Sequence, residues 1–399
     1  MPPAPTRPPR LTTLVLMTIL GIVSVNMFLP SLANMARGFG VTYAQASLSI
    51  SLFMLVTAGL QVVIGPLSDL YGRRPVLLWS LAIFTLASLG TALAADFTTF
   101  MVFRVLQAAV IAGNVLSRAI VRDTVPAQEA TSLLGTIGMA IALGPMVAPV
   151  IGGTLDQLLG WRATLWCFFG FGAGLLWLCM VDVGETNASR GRGFAAHFSA
   201  YPHLLGDLRF WSYTFSVGLG IGMFFAFLTG TPILTARVFD LPESLTGLLV
   251  GLPPVGFVCG AYLSRRLGHR IAPARMVMAG RLVSAAGIGA ALLLWTLGPQ
   301  AAWSFFLLMP VIGLANGLST PAGTAGAMSV RPDLAGSAAG LSGALTLGCG
   351  AAMTGLAGAL LGAVPDPARL LWLLWGLALL SVLAALPALR PLESDLANP

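Results

Sequence analysis

A chain of 399 residues that is 57% hydrophobic, only 9% charged and carries a net charge of +7 is excluded from the ordinary water-soluble globules, where about a quarter of residues are charged. There is no lysine, and the arginines recur in short intervals between apolar runs, a membrane-topology pattern that excludes a nucleic-acid patch. At about 20 apolar residues per crossing, the length accommodates about twelve helices, so the expected fold class is an all-α polytopic membrane protein in a lipid bilayer.

In chain order, the first apolar run lies near residues 11–32, after Arg7 and Arg10, and contains Ser31-Leu32-Ala33, which has the form of a signal-peptidase site. The run exceeds the roughly 7 to 15 residues of a signal core and is read as the first span. Further spans are expected near 44–65, 76–95, 98–118, 131–153 and 163–183, then near 210–235, 244–263, 274–297, 301–325, 336–362 and 368–390. Fifteen of the 21 arginines then share the side of the N-terminus, and four, Arg37, Arg162, Arg237 and Arg369, lie opposite, with Arg104 and Arg281 inside spans. The positive-inside rule places both termini in the cytoplasm.

The longest polar interval between spans, Gly184 to Arg209, reads as a cytoplasmic linker (184–209) between an N-terminal six-helix half (1–183) and a C-terminal six-helix half (210–399). A shift of 196 residues brings Ser264 onto Ser68, Gly268 onto Gly72 and Arg270 onto Arg74, although Arg265 meets Asp69; this supports a duplicated unit and nothing finer. Cys167, Cys179, Cys259 and Cys349 lie in apolar runs without C-x-x-C spacing, so neither a disulfide framework nor a metal site is expected. No nucleophile and base pair, metal-ligand cluster or phosphate loop occurs at membrane depth or in the loops, so neither an enzyme nor a cofactor is expected.

Three stretches carry chemistry. The turn Gly65 to Pro75 is a charged hinge between spans, with Asp69, Gly72, Arg73 and Arg74 confined to a membrane face because charge is costly in hydrocarbon. The end of the fourth span returns Asp123 to the same face, so Asp69, Arg73 and Asp123 form a candidate gate; the alternative is a surface ion pair worth less than about 1 kcal/mol. Within that fourth span Arg104, Gln107, Ile111, Asn114 and Arg118 share an arc of about 80°, a polar stripe suited to a water-filled cavity. Arg104 snorkelling to the headgroups is the alternative. In the fifth span Gly138, Ala142, Pro145, Pro149 and Gly152 share one arc, and small residues with prolines there suit a helix that pivots on a neighbour; plain packing is the competing reading.

These stretches carry a resemblance. The pattern G-x-L-S-D-x-x-G-R-R is similar to the loop between the second and third spans of the major facilitator superfamily, and Arg104-Val105-Leu106-Gln107 is similar to its span-four R-x-x-Q. Gly144-Pro145 with Ala148-Pro149-Val150-Ile151-Gly152-Gly153 resembles the antiporter element G-P-x-x-G-G in the A-P-x-x-G-G form of the bicyclomycin and chloramphenicol resistance subfamily. Phe227-Leu228-Thr229-Gly230-Thr231-Pro232 also resembles that subfamily, and Asn26-Met27-Phe28-Leu29-Pro30 resembles its D-x-x-x-P element with Asn in place of Asp. The resemblance implies a major facilitator fold of two pseudo-symmetric six-helix bundles, and a charged cluster that latches the halves on the cytoplasmic side. It also implies a substrate cavity lined by spans one, four, seven and ten. That nominates Asn26, Arg104, Gln107, Asn114, Met223, Phe227 and Asn316, with Gly144, Pro145, Pro149, Gly152 and Gly153 as the helix pivot.

Proton coupling needs a titratable group at membrane depth, usually a desolvated carboxylate. All 14 acidic residues fall in expected loops or near span ends, Asp156 and Asp182 coming nearest to membrane depth, and Asn26 cannot titrate. The expected function is alternating-access export of small amphipathic drug-like compounds from a bacterial inner membrane by a monomer, with protons as the candidate counter-ion. The alternatives are proton-independent uptake or exchange of a metabolite, and a transport-dead receptor. A cavity without acids argues against strongly cationic substrates.

Overall fold

The computed structural model describes residues 9–125, 133, 137, 144, 147–187, 201–268, 270–331 and 334–389. Among them are 11 helices long and apolar enough to cross a membrane, one shorter apolar helix and no strand. Helices suit this environment because each satisfies its own backbone where water is absent. The α-helical segments that build them are α1 (Leu11–Asn26), α2 (Leu32–Phe39), α3 (Tyr43–Tyr71), α4 (Arg73–Leu93), α5 (Phe97–Leu106), α6 (Ile111–Thr124), α7 (Val147–Leu159), α8 (Arg162–Asp182), α9 (Leu208–Arg237), α10 (Glu243–Val250), α11 (Leu252–Leu267), α12 (Pro273–Leu297), α13 (Pro310–Ser329), α14 (Ala335–Ala363) and α15 (Pro367–Ala385), some spans joining two of them.

Four expected spans are interrupted: those near 244–263 and 301–325 break at Gly251 and at Leu307–Met309, and two more at 3-10 turns. The first run continues past residue 32 as a bent span, α1 joined to α2 through a 3-10 turn at Leu29–Ser31 that holds Pro30. The fourth is α5 and α6 joined by a 3-10 turn at Gln107–Val110. Helix starts follow local chemistry. Thr42 and Gln45 form a reciprocal capping box ahead of α3, and Asp96 accepts the Thr99 N–H at 2.9 Å ahead of α5.

The chain divides into two compact units: residues 1–198 with 228–251 and 354–366, and residues 199–227 with 252–353 and 367–399. The boundary therefore cuts through α9 and α14, whose far ends belong to unit 1. Within unit 1, α1 is clasped by glycines: a Cβ at Gly113 would lie 2.5 Å from the Met17 carbonyl oxygen, and one at Gly152 1.8 Å from that of Met27. Within unit 2, α11 and α13 cross backbone to backbone, Gly256 and Gly260 lying against Pro310 and Leu314, and Gly313 and Gly317 against Pro253 and Phe257. Such close approach is how helices gain dispersion energy where no hydrophobic effect drives them together.

Candidate functional site

The turn between α3 and α4 is organised by a glycine. Gly72 has φ +104°, and a Cβ there would lie 2.2 Å from Glu185 Oε2, so both backbone and space demand glycine. Past it, Arg73 gathers the cluster: its guanidinium lies 2.5 Å from Asp69 and 3.1 Å from Asp123, with the three side chains between 12% and 26% exposed. Arg73 also donates to Ser68 Oγ. The expected trio is thus brought together, and every partner named here belongs to unit 1.

The sequence reading missed the strap that holds this cluster. Glu185 Oε1 accepts the Arg73 backbone N–H at 2.9 Å and the Asn187 N–H at 3.0 Å, placing a carboxylate on the positive end of α4. Asn187 Nδ2 donates to the Asp69 carbonyl at 2.9 Å, and Thr186 Oγ1 donates to Asp123 at 3.3 Å. Arg74 turns away and donates to the Met180 carbonyl at 3.0 Å.

At the opposite end of α3 lies a seal of small residues. Tyr43 donates its hydroxyl to the Thr229 carbonyl. Gly362 faces Ala44, Gly358 faces Ser47 and Gly355 faces Ser51, so three glycines of α14 interlock with three small residues of α3 running the other way. A Cβ at Gly358 would be 1.8 Å from Ser47 Oγ and 2.5 Å from its Cβ. Gly247 of α10 approaches the Pro149 carbonyl of α7, its own Cβ position 3.1 Å from that oxygen. All of these contacts are internal to unit 1.

The polar stripe of the fourth span is not uniformly buried. Arg104 and Gln107 are both fully buried, and Arg104 donates to Gln107 Oε1 at 2.7 Å and to the Ser24 carbonyl at 2.8 Å. Gln107 donates to Ser88 Oγ at 2.9 Å and more weakly to Thr91 Oγ1 at 3.3 Å. The guanidinium rests over the rings of Phe53 and Phe28, at 4.4 and 5.0 Å. It neither snorkels nor lines open space; it ties α1, α4 and α5 together. Asn114 is half-buried and Arg118 exposed, beyond the 3-10 turn.

Unit 2 holds a second such knot. Arg281 of α12 is fully buried and donates to Asn316 Oδ1 at 3.1 Å and to Ser319 Oγ, while Asn316 Nδ2 donates to the Gly220 carbonyl at 2.8 Å. Met223 and Phe227 are fully buried, Met223 beside the Ser284 hydroxyl and Phe227 edge-on to Phe306.

Asn26 closes α1 with 4% exposure. Its Nδ2 donates to the Ile22 carbonyl at 2.9 Å, and its Oδ1 has no hydrogen-bond partner among the described residues. Of the pivot residues, Gly144 faces Ile22, Gly152 lies against the Met27 carbonyl, and Pro149 and Gly153 are buried in α7. Pro145, with Gly138 and Ala142, lies outside the described residues. Asp156 is the one buried carboxylate among the described residues; Asn34 Nδ2 donates to it at 2.9 Å. No cluster of three metal-ligating side chains occurs among them.

The model of the Major Facilitator Superfamily matches residues 14–355. The chain is 30% identical over 86% of its length to the uncharacterized MFS-type transporter YdgK of Bacillus subtilis (strain 168), covering 87% of that protein. It is 29% identical over 79% of its length to a chloramphenicol resistance protein of Pseudomonas aeruginosa, covering 73% of it. In fold it is similar to the crystal structure of a bacterial homolog to the human lysosomal transporter Spinster, in an inward-facing and occupied conformation, with a TM-score of 0.76 at 18% identity, spanning 96% of this chain and 97% of that one.

Proposed function

This chain belongs to the Major Facilitator Superfamily, and from that premise we propose that it is an alternating-access exporter of small amphipathic, drug-like compounds. It is a multi-pass membrane transporter and not an enzyme. The observation that carries the proposal is α3, whose 29 residues run roughly 40 Å from the small-residue seal at Tyr43 to the charged cluster at Tyr71. One helix bears a dry interlock at one membrane face and an ionic one at the other, which suits a protein that opens its faces in turn. The arginine asymmetry supports a reading with the Arg73 end and both termini on the cytoplasmic side of a bacterial inner membrane. The small-residue seal then lies on the outer side. Export is supported by the chloramphenicol resistance relative.

Proton-independent uptake or exchange is the second reading, and Asn26 favours it, because an amide cannot carry a proton through the cycle. The test uses purified monomer in proteoliposomes loaded with phenicol-like, anionic and cationic compounds, with and without a pH gradient, for wild type, Asn26→Asp and Asp156→Asn. Uphill export that requires the gradient and is abolished in Asp156→Asn supports proton antiport with Asp156 as carrier. Plain equilibration by wild type, with gradient dependence gained in Asn26→Asp, favours the second reading. Failure to move any compound refutes both.

A further inference from the structure

The shift of 196 residues that aligns the two charged turns also aligns Ser24 with Gly220 and Ser88 with Ser284. In unit 1 the Ser24 carbonyl accepts from Arg104, and Ser88 accepts from Gln107. In unit 2 the Gly220 carbonyl accepts from Asn316, whose own oxygen accepts from Arg281, a residue three positions before Ser284. Each unit thus builds a buried guanidinium and carboxamide pair against a carbonyl of its first long helix, Ser24 in one and Gly220 in the other, at positions that the shift aligns. The residues themselves are not copies. Arg104 and Gln107 align with Gln300 and Trp303, and Arg281 aligns with Thr85. A buried guanidinium thus occurs in each unit, supplied from positions that do not align.

Neither cation has a carboxylate partner among the described residues: the ion pairs Arg10–Asp182, Arg73–Asp69 and Arg73–Asp123 do not include Arg104 or Arg281. Both leave Nε without a hydrogen-bond partner among those residues, so the donors are not fully used as glue. A neutral amide or hydroxyl would tie the same helices at far lower desolvation cost. What the arginine adds is charge, in surroundings where its field is weakly screened.

We infer that Arg281 sets the charge selectivity of transport and that the substrates are small organic anions, carboxylates or sulfonates. This rests on the transporter reading and narrows its substrate class. Arg281 is a selectivity residue acting through its field rather than by direct contact.

The experiment measures equilibrium binding to the purified full chain, with empty micelles as blank. The probes are 1-naphthoate, 1-naphthalenesulfonate, 1-naphthamide and 1-naphthylmethylammonium, four aryl probes that differ in charge. Wild type binds the anions about tenfold or more tighter than the cation. Arg281→Gln lowers that preference about five- to tenfold, while Arg281→Lys keeps it, because charge is retained although the bridge to Asn316 and Ser319 is not. Where Arg281→Gln does not fold, Ser319→Asp supplies a carboxylate beside the guanidinium and abolishes the preference in a folded chain. Equal or tighter binding of the cation by wild type, no anion binding at all, or equal effects of Lys and Gln at position 281 overturns the inference. Direction of transport is not read here, so failure of the export reading leaves this binding order standing.

Discussion

Adding one methyl group at Gly358 tests whether the seal between α3 and α14 closes one face of the transporter. In Gly358→Ala the new Cβ sits 1.8 Å from Ser47 Oγ and 2.5 Å from Ser47 Cβ, against ordinary contacts of about 3.5 to 4 Å. Ser47 is fully buried and already donates to the Ala44 carbonyl at 2.8 Å, so rotating the hydroxyl away relieves only part of the overlap. Overpacking of this kind costs about 1 to 3 kcal/mol. It falls on the sealed state alone, so the ratio of sealed to open protein drops about 5- to 150-fold. The assay is the rate at which a membrane-impermeant maleimide modifies Ser51→Cys, a position 8% exposed beneath Gly355, with the four native cysteines replaced. Labelling accelerates with Gly358→Ala. Ser47→Ala, which removes the oxygen but keeps the Cβ, reverses this in part, and Ser47→Gly reverses it fully. Unchanged labelling in Gly358→Ala, or equal rescue by Ala and Gly at position 47, refutes the reasoning.

Three further outcomes follow from the geometry. Gln107→Leu strips Arg104 of one acceptor and leaves the Ser88 and Thr91 hydroxyls without their donor, at about 1 to 3 kcal/mol for each buried group left unsatisfied; the folded yield and melting temperature fall sharply. Gly72→Ala meets both the φ of +104° and Glu185 and costs about 1 to 3 kcal/mol. Adding Glu185→Ala removes the clash but not the dihedral strain, so thermal unfolding recovers only partly. Asp96 is held below the usual carboxylate range by the Thr99 N–H first and the Thr99 hydroxyl second. Its folded pKa is depressed, so its cap contribution is complete above the unfolded value of about 3.9 and is lost as pH falls through the lower folded value. The protection factor of the Thr99 amide, its exchange rate corrected for the intrinsic pH dependence, follows that curve in wild type and is flat in Asp96→Asn.

The hydropathy of the chain makes its spans legible because each must bury about 20 apolar residues in hydrocarbon, and Asp69, Arg73 and Asp123 are legible because so few charges interrupt them. The pairing of Arg104 with Gln107 is legible too, since residues three apart share a helix face. Asn114 lies seven residues on, past the 3-10 turn at Gln107–Val110, and is half-buried where Arg104 and Gln107 are fully buried. No single-residue propensity announces that turn. Glu185 is hidden for another reason: it is 112 residues from Arg73 and sits in what reads as a linker. The seal is hidden by its chemistry, since glycine, alanine and serine carry no pattern until the facing helix is known, and Gly355, Gly358 and Gly362 are common residues in membrane helices.

Asn26 has a physical reading that the resemblance alone does not supply. Its Nδ2 donates to the Ile22 carbonyl one turn back in α1, and an acceptor so placed tolerates a donor and repels a negative oxygen. A protonated carboxyl at position 26 can reproduce that bond, whereas an ionised one sets two acceptors face to face in a buried site. The amide therefore holds the end of α1 permanently in the arrangement that a carboxyl adopts only when protonated. A coupled antiporter alternates between the two arrangements; this chain, at this position, has only one. Asn26→Asp restores the alternation without new bulk, since Asn and Asp are nearly isosteric, so any gradient dependence it gains is attributable to the proton and not to repacking. Should Asn26→Asp leave transport equally indifferent to pH on both sides of the membrane, the arrangement of α1 is not what couples, and Asp156, buried against Asn34, becomes the group to remove.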